Sequence, residues 1–232
     1  YRTLGLPIPL GGTSVFFRRA VLETLGAWDA HNVTEDADLG MRLARAGYRC
    51  EVLDSTTYEE ANGRLVPWIK QRSRWLKGYA QTWGVHMRRP ARLWRELGPR
   101  GFFGFQAIFL GGLVAYFGMP VFIGVWGAAL LGAGPDWLLG APGWALVALA
   151  ALHLSAWFAM FGAAVIATGR RGRRWLLPWI PTLAFYWPLG SFAAALALIE
   201  LAAAPFLWRK TRHGVGRTAQ AKLREALRAR AA

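Results

Sequence analysis

Between residues 102 and 208 the chain holds only two acids, Asp136 and Glu200, and one basic cluster, Arg170, Arg171, Arg173 and Arg174. The rest of that stretch is largely apolar. In hydrocarbon every backbone N–H and C=O must find its partner within the element, so an apolar run of about 18 residues or more becomes a spanning helix. Residues 103–131 suffice for one tilted span, with a kink expected at Pro120. Residues 132–143 carry no Lys or Arg and read as an outer loop. Residues 144–168 return to the arginine cluster. Residues 175–208 are too long for one ordinary span, and the basic tail after them belongs on the same side as that cluster. A pair of short helices or a re-entrant hairpin bent near Pro188-Leu189-Gly190 is therefore expected. His153 falls inside a span, where an imidazole serves function or packs against a neighbouring helix.

The formal charge is +15, from 28 Lys and Arg against 13 Asp and Glu. Its placement argues against nucleic acid as the partner. The basic residues flank the apolar runs, as the positive-inside rule requires of cytosolic segments, and anionic lipid headgroups are the expected counterpart. This places the chain in the plasma (cell inner) membrane as a multi-pass protein with its polar part in the cytosol. The lone Cys50 excludes an intrachain disulfide framework and suits a reducing compartment. The chain begins at Tyr1 without an initiating Met, and a piece of a longer protein is expected. Four regions follow: a partial α/β domain over 1–64, amphipathic interface helices over 65–101, the membrane region over 102–208 and a basic cytosolic tail over 209–232.

The first region has the look of an α/β half-domain. Gly11-Gly12-Thr13-Ser14 reads as a turn whose glycines let backbone approach a ligand. Residues 15–17 read as a strand, and residues 18–25 as a short helix closed by Gly26. Residues 48–53 and 55–58 read as two further strands. Some sixty residues cannot bury a full core of that type, so further strands are expected from residues preceding Tyr1.

Eight of the thirteen acids lie between Asp29 and Glu60, and Glu35, Asp36 and Asp38 fall within four residues. Crowded carboxylates raise one another's pKa unless something compensates. Two readings stand side by side. In one, Thr34 is the N-cap of a helix whose first turn welcomes anions, with Leu39, Leu43 and Ala46 on its apolar face and Gly47 as its stop. In the other, the acids do chemistry. A second helix, starting near Pro67, spaces Trp68, Arg72, Trp75, Tyr79 and Trp83 by four, three, four and four, the mark of a basic, Trp-rich interfacial helix. On it Gln71, Arg74 and Trp75 bring an amide, a guanidinium and a flat ring to one patch, suited to a pyrophosphate and a sugar face, or merely to anchoring.

Taken in order, Gly11-Gly12-Thr13-Ser14, Trp28-Asp29, Thr34-Glu35-Asp36, Gln71-x-x-Arg74-Trp75 and Trp208-x-Lys210-Thr211-x-His213-Gly214 resemble the motifs of processive family-2 glycosyltransferases of the cellulose-synthase and hyaluronan-synthase type. The resemblance implies the second half of a GT-A domain, amphipathic interface helices, then three to four membrane spans. It implies an inverting, membrane-bound hexosyltransferase that moves a sugar from a nucleotide-sugar donor, a UDP-sugar, to a growing polysaccharide or glycan acceptor. By that resemblance Asp36, in its Thr34-Glu35-Asp36 motif, is the base. Gln71 and Arg74 hold the pyrophosphate, Trp75 is the acceptor platform, and Gly11, Gly12 and Thr13 line the acceptor site. A helix N-terminus beside Asp36 is expected to favour its ionised form. The aspartates that would hold the nucleotide and a divalent cation, Mg²⁺ or Mn²⁺, have no counterpart in the sequence. Asp36-Ala37-Asp38 has the spacing but overlaps the base motif, so this chain alone is expected to be inactive. The alternative is a non-catalytic membrane scaffold or partner subunit that keeps the same shape.

Overall fold

The computed structural model describes residues 6–53, 55, 57, 59, 61–133, 140 and 142–208. The chain divides into two compact units, one of Tyr1–Ala115 with Phe192–Ala232 and one of Tyr116–Ser191. The first unit opens with α1 (Arg19–Thr24) and α2 (Glu35–Arg45), followed by α3 (Leu65–His86) and α4 (Pro90–Phe105). A π-helical turn, Gln106–Leu110, then leads into α5 (Gly111–Leu130). Gly26 and Gly47 end α1 and α2 at φ of 74° and 79°, the left-handed conformation that glycine adopts without a Cβ penalty.

Among the described residues no strand forms. Residues 15–17 and 48–53 run without a ladder partner, and the reading of 55–58 falls partly on positions outside the described set. A strand exists only through its neighbour, so an alternating sequence by itself leaves an extended segment. The α/β class therefore remains an expectation, and what the structure displays is helical.

Ala37 and Met41 of α2, Leu93 and Phe105 of α4, and Phe109 of the π-turn make a buried cluster, against which Tyr79 and Trp83 of α3 and Met87 just past its end pack. The aromatic face of α3 is thus protein core over its second half, with Tyr79 and Phe109 ring centroids 4.8 Å apart. Gln106 holds the π-turn to α3: its Oε1 accepts from Trp83 Nε1 at 2.7 Å. Within α4 the chain kinks at Gly98 (φ 65°, ψ 175°), immediately before Pro99.

Three stretches are long and apolar enough to cross a membrane: Pro90–Leu130, Gly143–Arg170 and Arg174–Ala203. The second is the single helix α6 (Gly143–Arg170). The third joins a 3-10 segment, Arg174–Thr182, to α7 (Leu183–Ala203). The bend expected near Pro188 is absent, because α7 runs through it; the break comes instead at Pro178 and Pro181, in the 3-10 segment. Pro120 likewise lies inside an unbroken α5. Proline is tolerated in apolar spans where local adjustment re-satisfies the freed carbonyl. In the second unit Ser191 Oγ donates to the Tyr116 carbonyl at 2.8 Å, and the Tyr116 and Trp187 rings stack at 5.2 Å. His153 sits against Phe122, centroid to centroid 4.9 Å, the packing alternative of its two readings. Residues 134–139, 141 and the basic tail from 209 lie outside the described set.

Candidate active site

The acidic stretch is seated on α3 by its own backbone and by neutral side chains. Asn32 Nδ2 donates to Thr82 Oγ1 at 2.9 Å, and the Val33 amide donates to Gln81 Oε1 at 3.3 Å. Asn32 Oδ1 accepts from the Thr34 amide at 3.0 Å. Thr34 occupies the N-cap position of α2 but makes no side-chain cap bond. Its side chain turns onto α3 instead, where a Cβ on Gly78 would stand 2.2 Å from Thr34 Oγ1 and 2.5 Å from its Cγ2. Thr34 is therefore a spacer that fits because residue 78 has no side chain.

This seating leaves Glu35 and Asp36 half-buried while Thr34 is buried. Asp36 Oδ1 accepts from the Ala37 amide at 2.8 Å, and its Oδ2 lies 3.3 Å from where a Gly12 Cβ would be. Asp36 thus stands against Gly12 of the Gly-Gly turn. Burial raises the Asp36 pKa, and the Glu35 charge adds to that rise, against the Ala37 amide and Arg74. The pull of the helix N-terminus toward the charged form is outweighed by desolvation, the largest influence, and the net shift is upward.

Arg74 of α3 lies close enough to Glu35 and Asp36 for their charges to act on one another. Burial lowers its pKa, and the charges of Glu35 and Asp36 act to raise it. Its Nε is buried without a hydrogen-bond partner among the described residues. Its guanidinium lies 5.6 Å from the centroid of the Trp208 ring. A planar cation with an unused donor, in a partly dry crevice, suits an anionic guest such as a diphosphate. Gln71, one turn earlier on α3, accepts from Asn62 Nδ2 at 2.9 Å through Oε1. Trp75 is 37% exposed, and the Arg72 guanidinium lies 4.4 Å from its ring centroid. Thr13 hydrogen-bonds Glu59, and Thr57 Oγ1 donates to Ser14 Oγ at 2.8 Å, tying the Gly-Gly turn to the segment before α3. Gly12, Asp36, Glu35 and Arg74 are thus brought together, and on α3 Gln71 stands three residues before Arg74 and Trp75 directly after it.

Behind α2 lies a charged network that sequence reasoning missed. Asp38 accepts from Arg42 at 2.8 Å and contacts His86 Nε2 at 3.0 Å. Arg45 Nη1 lies 2.8 Å from His86 Nδ1. Arg45 can only donate, so Nδ1 is the acceptor and Nε2 carries the proton given to Asp38. Burial pushes the Asp38 pKa up, but the hydrogen bonds from His86 and Arg42 and the Arg42 charge outweigh it, and the net shift is downward. The available signal was the spacing Gly78, Thr82, His86: a stripe four residues apart, too small and polar for a bilayer face. Among the described residues no group of three or more His, Cys, Asp or Glu could hold a metal ion.

Residues 1–208 match the model of a family described as glycosyl transferase family group 2. A protein of Bacillus subtilis (strain 168) named "Probable glycosyltransferase YdaM" is 34% identical over 68 residues, which is 29% of this chain and 16% of that protein. The matched part is thus a small share of that relative's length. No solved structure matches the chain.

Proposed function

The chain belongs to the group 2 glycosyl transferases, and from that premise we propose that it is the acceptor-side and diphosphate-side part of a membrane-bound enzyme that transfers a sugar, with inversion, from a UDP-sugar to a growing polysaccharide or glycan. Asp36 is the base in this reading. It takes the proton from the acceptor hydroxyl as that oxygen attacks the anomeric carbon, and the bond from that carbon to the diphosphate oxygen breaks. A sugar hydroxyl is a poor nucleophile, and a positioned carboxylate contributes roughly 10²–10⁴-fold. The charge gathering on the departing diphosphate is met by Arg74, whose buried, unpaired Nε is the observation that carries the reading. Gln71 assists it. Trp75 offers ring surface to the acceptor, and the Gly11-Gly12-Thr13 turn lines the acceptor's side of the crevice opposite Asp36.

The divalent cation implied by the family resemblance belongs, in this reading, to the full-length protein, with ligands that this chain does not supply. Residues 102–208 hold the enzyme in the membrane, with the Asp36 crevice on the cytosolic side. The test is incorporation of labelled sugar by membranes carrying the whole protein. Asp36→Asn is expected to lower incorporation by roughly 10²–10⁴-fold, and unchanged incorporation refutes Asp36 as base. Trp75→Ala is expected to raise the acceptor KM more than the donor KM; equal effects on both refute the platform.

A further inference from the structure

Lys77 is fully buried, in the same turn of α3 as Arg74 and Gly78. Its Nζ lies 2.7 Å from the Leu207 carbonyl, 3.4 Å from the Ala204 carbonyl and 3.3 Å from Glu200 Oε2. Three donors thus meet three acceptors. Two of them belong to the chain leaving the C-terminus of α7, where a cation is favoured. Four residues on, Gln81 Nε2 donates to the Pro205 carbonyl at 2.9 Å, while its Oε1 accepts from the Val33 amide. Arg74, Lys77 and Gln81 lie three and four residues apart, on one face of α3. All three face residues 200–208, and the last of these, Trp208, lies on Arg74. A buried ion pair is weak support for stability compared with an apolar pair of the same size. Its strength is in placement.

Resting on the transferase reading, we propose that Lys77 and Glu200 are positioning residues for the donor site: they clamp the exit of the last membrane helix to α3, so that residues 204–208 hold Arg74 in the pose that receives the nucleoside diphosphate. Neither residue touches the substrate. Their effect passes through Trp208 and the Arg74 guanidinium.

The test uses the whole protein in membranes and the double variant Lys77→Met, Glu200→Gln, which removes both charges while keeping length and volume. Two readouts are taken. The first is the maleimide labelling rate of a cysteine replacing Ala204 in a cysteine-free background, which reports the clamp without any activity. The second is UDP affinity together with the donor KM, with Arg74→Ala as the control for the donor site. The double variant is expected to reach the membrane in normal amount, to label at position 204 several-fold faster, and to show UDP affinity and donor KM about tenfold weaker with kcat changed less. Unchanged labelling overturns the clamp. Faster labelling with unchanged UDP affinity and donor KM overturns the donor-site role while Arg74→Ala still shows that the site is real. Loss of kcat with an unchanged donor KM also overturns it. Absence of UDP binding by the unaltered protein sinks the transferase reading, and the inference with it.

Discussion

Asp36 and Asp38 stand two residues apart on the first turns of α2, yet their surroundings push them in opposite directions. For Asp36 the folded pKa lies above the unfolded one, because burial disfavours the charge. Its contribution to stability is therefore present at low pH and is lost as pH rises through the raised value. Asp36→Asn is expected to lower sugar transfer by the same roughly 10²–10⁴-fold while leaving the melting temperature at neutral pH equal or higher, which thermal melts of the detergent-solubilised protein will show. The acid limb of kcat/KM is likewise expected above the ordinary aspartate value of 3.8. For Asp38 the sign reverses: its folded pKa is depressed, so its contribution is present above the unfolded value and is lost as pH falls through the folded one. Asp38→Ala removes the partner of His86 and Arg42 and is expected to cost about 3–5 kcal/mol, the penalty of breaking a buried pair. A denaturant midpoint that does not move contradicts the network.

At the level of elements, α2 and α3 are held together by what α3 lacks at residue 78. Gly78→Ala would place a methyl inside the Thr34 side chain, and overpacking of this sort costs about 1–3 kcal/mol. Because Thr34 leads directly to Asp36, the same change is expected to cut transfer more than it lowers the melting temperature, with Gly84→Ala, which meets nothing within 4 Å, as the harmless control. The ends of α1 and α2 were legible in the sequence because they are local: Gly26 and Gly47 stop them, and the acids open α2. The buried face of α3 was not. Lys77, Thr82 and His86 look like solvated or interfacial positions until Glu200, Asn32 and Asp38 arrive from 123, 50 and 48 residues away. The strand readings at 15–17 and 48–53 remain expectations for the same reason, since no partner lies beside them among the described residues. Gly12, Glu35, Asp36 and Arg74 stood out in the sequence as parts of an ordered set of motifs; that burial rather than the helix end sets the direction of the shift at Asp36 was not legible there.

For the molecule as a whole, the charge of +15 and the apolar helices make different predictions. A chain held to lipid by charge is released as salt screens the headgroups, whereas a spanning one is not. Retention in membranes through a 1 M salt wash is expected (roughly a 3 Å screening length), and release contradicts the membrane assignment. By the positive-inside rule Arg170–Arg174 are expected in the cytosol. Lys77 holds the exit of α7 on the side of α3, so the stretch Arg174–Ala203 is expected to enter and leave by one face. Cysteines replacing Arg171 and Phe206 should then label from the same side and one replacing Ala133 from the other. The seat at residue 78 carries a lesson for recognising such chains elsewhere. The gap between the acid-bearing helix and the cation-bearing helix is set by a hydrogen atom where any other amino acid would put carbon, so sequence drift has no neighbouring solution to explore there. Anyone scanning unfamiliar proteins for this crevice can ask first whether a glycine stands four places after the arginine, before asking about the acids.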